Sequence, residues 1–227
     1  MNQIARNAVI ALGITALIFG TGFWAANSIN SLRLDEIRNI EEGIGTDTLS
    51  LETQFDLLAN LSCSQIAENP VSSSELGSLG DRLAYTEEKL GSNNAEVLAL
   101  KRQYSLLEIK DYLLGQKVAE RCNTKPVTVL YFYSNAGDCP TCENAGRTLT
   151  YLRQTYPDLR VYSFDYDLDV GALKTLITVT KVTDTLPAFI IGSKTYYNLS
   201  TVADLQKVLP LDKLTVSTST ATSTKKK

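Results

Sequence analysis

Between residues 123 and 127 the apolar residues change their spacing, and no single regular element satisfies both patterns. Before that point Val97, Leu100, Tyr104, Leu107, Leu114 and Val118 recur at intervals that alternate between three and four, with Asp111 in the one missing slot. Such spacing lines one side of a helix. After it, Val127-Thr128-Val129-Leu130-Tyr131-Phe132-Tyr133 is β-branched and aromatic and reads as a buried strand. A chain of 227 residues has room for both parts. The expected fold class is therefore α/β, with an α-helical region at 30–122 and a mixed domain at 125–212.

The helical region divides at its punctuation. Thr46-Asp47 is an N-cap candidate for a helix to about Glu68, with Leu51, Phe55, Leu58 and Leu61 on one side and Asn69-Pro70 as its stop. Ser72-Ser73-Ser74-Glu75 opens a second helix, which carries Leu76, Leu79, Leu83 and Leu90 and stops at Gly91. Ser92-Asn93-Asn94 opens the third, whose spacing is heptad-like. A hairpin or small bundle is expected, because the second helix offers the third a partner within the chain. A homodimer through the third helix is the alternative.

Residues 8–26 carry no charge. As a helix they would span roughly 28 Å, close to the thickness of a bilayer core. Trp24 stands at the far end, where an indole favours the lipid interface. The run is longer than the 7–15 residues or so of a signal-peptide core. The expectation is an N-terminal transmembrane helix in contact with the lipid bilayer, with 1–7 as a short cytoplasmic N-terminus and the remainder extracytoplasmic. The chain would then be a single-pass protein of the cell membrane.

The four cysteines are Cys63, Cys122, Cys139 and Cys142. In an oxidising compartment Cys63 and Cys122 are expected to form a structural disulfide between the first and third helices of the helical region. Free buried thiols, or a relay with the second pair, are the alternatives.

The C-terminal part alternates its elements. Strand 127–133 leads through Ser134–Asp138 into a helix at 140–156. A strand at 159–166, a helix at 170–182 and a strand at 187–191 follow. Gly192-Ser193 turns into a strand at 194–197, and Thr201 caps a helix at 202–209. This β-α-β-α-β-β-α order, with Cys139-Pro140-Thr141-Cys142 at the start of the first helix and Leu186-Pro187 opening the third strand, resembles the thioredoxin-like family. The resemblance covers about 85 residues, from strand 127–133 to the last helix. It implies a cis Pro187 beside the redox pair, and a Leu186-Pro187 backbone that pairs with an extended substrate peptide.

The chemistry has a physical basis, because a thiolate rather than a thiol attacks a disulfide. Cys139 at the N-cap, with Pro140 at the first helical position, would be stabilised as thiolate by the helix dipole and the first-turn amides. Cys142, one turn further in, would resolve the mixed disulfide. Two positions depart from the family. Asp138 precedes the first cysteine where an aromatic residue is usual, and its charge opposes thiolate formation. Tyr133 stands where many members carry a buried acid. Asp138 is the candidate replacement as proton acceptor for Cys142.

Composition removes several other classes. With no histidine there is no His-based acid–base catalysis, no His metal ligand and no Cys-x-x-Cys-His haem attachment. A net charge of -3 offers no basic surplus for nucleic acid. A four-cysteine zinc site calls for two close pairs, and only Cys139/Cys142 is close. Asp165, Asp167 and Asp169 lack the glycine and distal glutamate of a calcium loop and read as a solvated connection. No metal and no cofactor are expected. Residues 213–227 form a Ser/Thr/Lys tail too polar to fold. The function expected is thiol–disulfide exchange on exported proteins, together with a membrane or extracytoplasmic redox partner. The alternative is a binding scaffold in which Cys139–Cys142 is structural.

Overall fold

Val129, Leu130, Tyr131 and Phe132 are consecutive and all buried, so strand β1 (Thr128–Tyr133) needs cover on both faces of its sheet. The computed structural model describes residues 3–68 and 74–216 and supplies that cover. Among the described residues four helices precede the sheet: α1 (Gln3–Asn60), α2 (Cys63–Glu68), α3 (Ser74–Leu90) and α4 (Ala95–Cys122). After β1 come α5 (Cys142–Thr155), β2 (Arg160–Asp165), α6 (Gly171–Thr180), β3 (Ala188–Ile191), β4 (Lys194–Tyr197) and α7 (Val202–Val208). The chain falls into two units, Met1–Ser50 and Leu51–Lys227.

The sheet order is β2-β1-β3-β4. β1 runs parallel to β2 and antiparallel to β3, which is antiparallel to β4. Side chains alternate across the strands. Val127, Val129 and Tyr131 therefore share a core with Ala145, Leu149 and Leu152 of α5 and Leu205 of α7. On the other face the Phe132 and Phe164 rings lie 5.6 Å apart, and Leu173 of α6 is buried. Gly192 begins the two-residue β3–β4 turn at φ +61°, a left-handed conformation that glycine adopts without strain. Thr201 and Asp204 close a reciprocal capping box on α7.

β2 is an edge strand, and α4 lies along it. The Glu108 carboxylate accepts the Ser163 N–H at 3.0 Å. One turn on, Asp111 accepts the Tyr162 hydroxyl at 2.6 Å and Arg160 at 3.4 Å. α4 also packs on α3 and α6. Its heptad-like stripe is thus spent inside the chain: Val97, Leu100 and Leu107 are buried, and Asp111 fills its slot as a hydrogen-bond acceptor.

The N-terminal expectation requires correction. Among the described residues no helix is long and apolar enough to cross a membrane. The uncharged run at 8–26 lies inside α1. That run is not a separate element, because α1 continues for 58 residues through charged sequence. Thr15 and Thr21 are accommodated by returning their hydroxyls to the carbonyls of Ala11 and Leu17.

The next helix start also moves. Thr46-Asp47 begins nothing, because α1 runs through it. The break comes at Ser62, whose amide and hydroxyl bond the Gln65 side chain while the Gln65 amide returns to the Ser62 hydroxyl. This capping box starts α2. Asn69-Pro70, Ser72-Ser73 and residues 217–227 of the tail lie outside the described residues. Leu211–Lys213 forms a 3-10 turn, and Thr215 bonds Asp158.

Cys63, first residue of α2, is joined to Cys122, last residue of α4. Beside this bridge Arg121 caps the end of α1 by donating to the Ala59 carbonyl at 2.8 Å. Closing a 59-residue separation is worth about 4 kcal/mol by loop entropy. Replacing both cysteines by serine is expected to lower stability by about that amount in urea unfolding. Asp111→Ala is expected to cost about 1–3 kcal/mol by leaving the Tyr162 hydroxyl buried without its acceptor. A loss within error of zero would show that α4 does not hold the sheet edge through this contact.

Candidate functional site

The register of the sheet decides which loops meet. Phe132 pairs with Ala188, so Pro187 lies at the end of β1 that leads into Ser134–Asp138. The Leu186–Pro187 peptide is cis, Pro187 is buried and Leu186 is half-buried. The Pro187 carbonyl accepts the Asn198 N–H at 2.9 Å.

Cys139 and Cys142 are joined as a disulfide. Cys139 is half-buried and Cys142 is buried. Helix α5 begins at Cys142 with Thr141 as N-cap, two positions later than the N-cap expected at Cys139. Cys139–Cys142 instead forms a turn in front of the helix, closed by the Cys142 N–H on the Cys139 carbonyl at 3.3 Å. Pro140 is exposed in that turn and needs no partner for a missing N–H. Asp138 is exposed on the preceding loop, where Gly137 takes φ +88°.

α5 is fixed from two directions. Tyr131 donates its hydroxyl to the Cys142 carbonyl at 2.6 Å. Its ring stacks on Tyr133 and Phe189, with centroids 5.5 and 5.1 Å away. Asn144 and Thr148 both donate to the Ser200 carbonyl at 3.0 Å, tying α5 to the loop before α7. Cys142 therefore sits on a helix end tied to β1 and to the loop before α7.

Tyr133 faces a cavity of about 250 Å³ between α3, α4, α5 and β2, lined also by Lys101, Tyr104, Glu108, Arg153 and Asp165. Burial pushes the Tyr133 hydroxyl well up, and the neighbouring Asp165, Glu87 and Glu108 add to it. Buried acids reach this cavity from β2, where Asp165 pairs with Tyr133 in the register, and from α4. Glu108 is fully buried, and burial drives its carboxyl well above the usual range despite the Ser163 N–H, Tyr104 and Arg153. Its Oε2 has no hydrogen-bond partner among the described residues. The cavity has room for water to reach that oxygen.

Several of these residues gave no signal in the sequence. Lys101, Glu87, Glu108 and Asn135 read as ordinary surface positions. Asp165, read as part of a solvated connection, is the buried last residue of β2. Asp167, exposed, accepts the Ser134 hydroxyl at 2.8 Å. Among the described residues no cluster of acidic or cysteine side chains could hold a metal ion.

The strand order, the pairing directions and the cysteine turn ahead of α5 define a thioredoxin-like fold. No family model matches the chain, and no curated protein is similar to it. Among solved structures it is similar to thioredoxin O2 from Arabidopsis thaliana in the oxidized state. The identity is 22%, over 43% of this chain and 84% of that one, with a TM-score of 0.30.

Glu108 generates a pH prediction. At low pH folded and unfolded chains both hold its proton. As pH rises through the ordinary carboxylate range the unfolded chain releases the proton first. Stability then falls by about 1.4 kcal/mol per pH unit until the higher folded pKa is reached. Glu108→Gln keeps the acceptor for Ser163 and removes this loss. The variant is expected to gain on the parent as pH rises above the ordinary carboxylate range in urea unfolding. A difference constant with pH would mean that Glu108 does not hold a proton in the fold.

Proposed function

We propose that this chain is a thiol–disulfide oxidoreductase acting on exported proteins through Cys139 and Cys142. One observation carries the reading: the disulfide lies at the amino end of α5, with Cys139 the more exposed residue of the pair and Cys142 buried. In the oxidising direction a substrate thiolate attacks Cys139 Sγ. The Cys139–Cys142 bond breaks, and its electron pair leaves on Cys142 Sγ. A second substrate thiolate then attacks the substrate sulfur of the mixed disulfide and expels Cys139 as thiolate. The substrate gains a disulfide, the pair gains two electrons, and the thiol protons go to solvent or to Cys139 and Cys142. The reducing direction is the reverse.

First-turn amides of α5 favour the Cys139 thiolate, while the charge of Asp138 opposes it. Asp138 is exposed, so solvent screens its charge and the helix end is expected to dominate. Leu186 and Pro187, at the same end of the sheet, would receive the substrate backbone. The second disulfide, Cys63–Cys122, supports an oxidising compartment as the place of work. A partner there would have to reset the Cys139–Cys142 pair after each turnover.

The test is the reduction potential of the Cys139–Cys142 pair, read by thiol trapping and peptide mass spectrometry of the whole chain in glutathione buffers. A value between about -120 and -270 mV is expected for a working pair. A value below about -300 mV would identify a structural bridge and leave a binding scaffold as the function.

A further inference from the structure

Lys101 is almost completely buried on α4, with 3% of its side chain exposed. A buried ammonium persists only where anionic or polar groups meet it. Here it lies 2.7 Å from Glu87 Oε1 on α3 and 3.6 Å from Asp165 Oδ2 at the end of β2. The same two oxygens receive the side-chain amide of Asn135, at 3.1 and 3.3 Å. Four groups from α3, α4, β2 and the loop after β1 thus close a ring in which one cation and one amide share two carboxylates.

Asn135 belongs to the loop that delivers Cys139 four residues later. Its neighbour Ser134 is fixed as well, by Asp167 and by the Ala136 N–H at 3.0 Å. Asn135 itself and, beyond this stem, Ala136, Gly137 and Asp138 are exposed. The stem is therefore where the loop is held, and the ring is what holds Asn135. Without the ammonium, Glu87 and Asp165 would repel each other across a single amide nitrogen. One or both would turn to solvent, and Asn135 would lose its anchor.

We infer that Lys101 is a positioning residue for Cys139, and that the α3–α4 hairpin is a working part of the redox site through the Lys101–Glu87–Asp165–Asn135 ring. The inference rests on the reading of Cys139–Cys142 as a redox pair. It assigns the hairpin a task beyond covering the edge of β2. A hairpin displaced by any binding event would act on Cys139 through the same link.

The experiment measures two quantities in the full chain. One is the rate at which iodoacetamide alkylates Cys139 at neutral pH after complete reduction. The other is the equilibrium of the pair with glutathione. Lys101→Met is expected to lower the alkylation rate at least threefold and to move the equilibrium, because the loop loosens and uncompensated carboxylates oppose the thiolate. Asn135→Ala is expected to act in the same direction. The two changes break one link, so the double variant should show no more than the larger single effect. Glu87→Gln keeps an acceptor for Asn135 and is expected to stay within twofold of the parent.

If Lys101→Met lowers the melting temperature but leaves both quantities within twofold, the residue is structural and the inference fails. Effects that multiply in the double variant would also overturn it. Should Lys101→Met not fold, the same cycle run with Glu87→Ala and Asn135→Ala decides the matter. A parent pair that glutathione cannot reduce would sink the oxidoreductase reading. Alkylation after reduction by dithiothreitol would still report the link.

Discussion

An edge strand presents a row of backbone amides and carbonyls that water or another chain must otherwise meet. One of the two edge strands here is β2, and it is met by a helix one of whose carboxylates, Glu108, takes the place of a neighbouring strand's carbonyl. Glu108 meets the Ser163 amide, and Asp111 meets the Tyr162 hydroxyl. The rest follows from that contact. With α4 fixed along β2, Lys101 reaches the end of the same strand at Asp165, and α3 is brought to where Glu87 meets Asn135. The helical part and the sheet are thus tied by buried polar contacts rather than by apolar packing alone. Such contacts are directional, so they set where α4 lies along the strand as well as how close it comes.

The sheet region was largely legible because its signals are local. A β-branched run, a glycine turn and a threonine cap each act within a few residues, and β1, the Gly192 turn and the Thr201 cap stand where those signals place them. The apolar stripe of α4 was legible for the same reason. The polar stripe beside it was not. Lys101, Ser105 and Glu108 are all buried, yet their helical spacing is also that of a solvated face. Only the tertiary position of β2 tells the two apart. The Ser62-x-x-Gln65 box was readable in principle, but the longer apolar pattern ran across it and masked the break.

The N-terminal correction has a different origin. Apolarity over a stretch of chain indicates burial of some kind, but crossing a membrane is a condition on length and continuity as well. Among the described residues no helix meets it. The case for an oxidising compartment does not depend on that segment. It rests on Cys63–Cys122, which belongs to the unit Leu51–Lys227.

The two disulfides stand at opposite ends of β1. Cys122 closes α4 shortly before the strand begins, and Cys139 follows the loop at its far end. Six residues of strand span about 20 Å, and exchange needs the sulfurs in contact. A direct relay between the two pairs is therefore excluded in this arrangement. The bridges divide the work by location. Cys63–Cys122 ties the end of α4 to α2 and so limits where the chain enters the sheet. Cys139–Cys142 sits where the loop leaves the sheet and α5 begins. Between them β1 is held in register by β2 and β3, and α4 is held to β2 by Glu108 and Asp111. The loop and the start of α5 are thus placed through β1 and the helical hairpin packed on the sheet, with the remote disulfide as a tether.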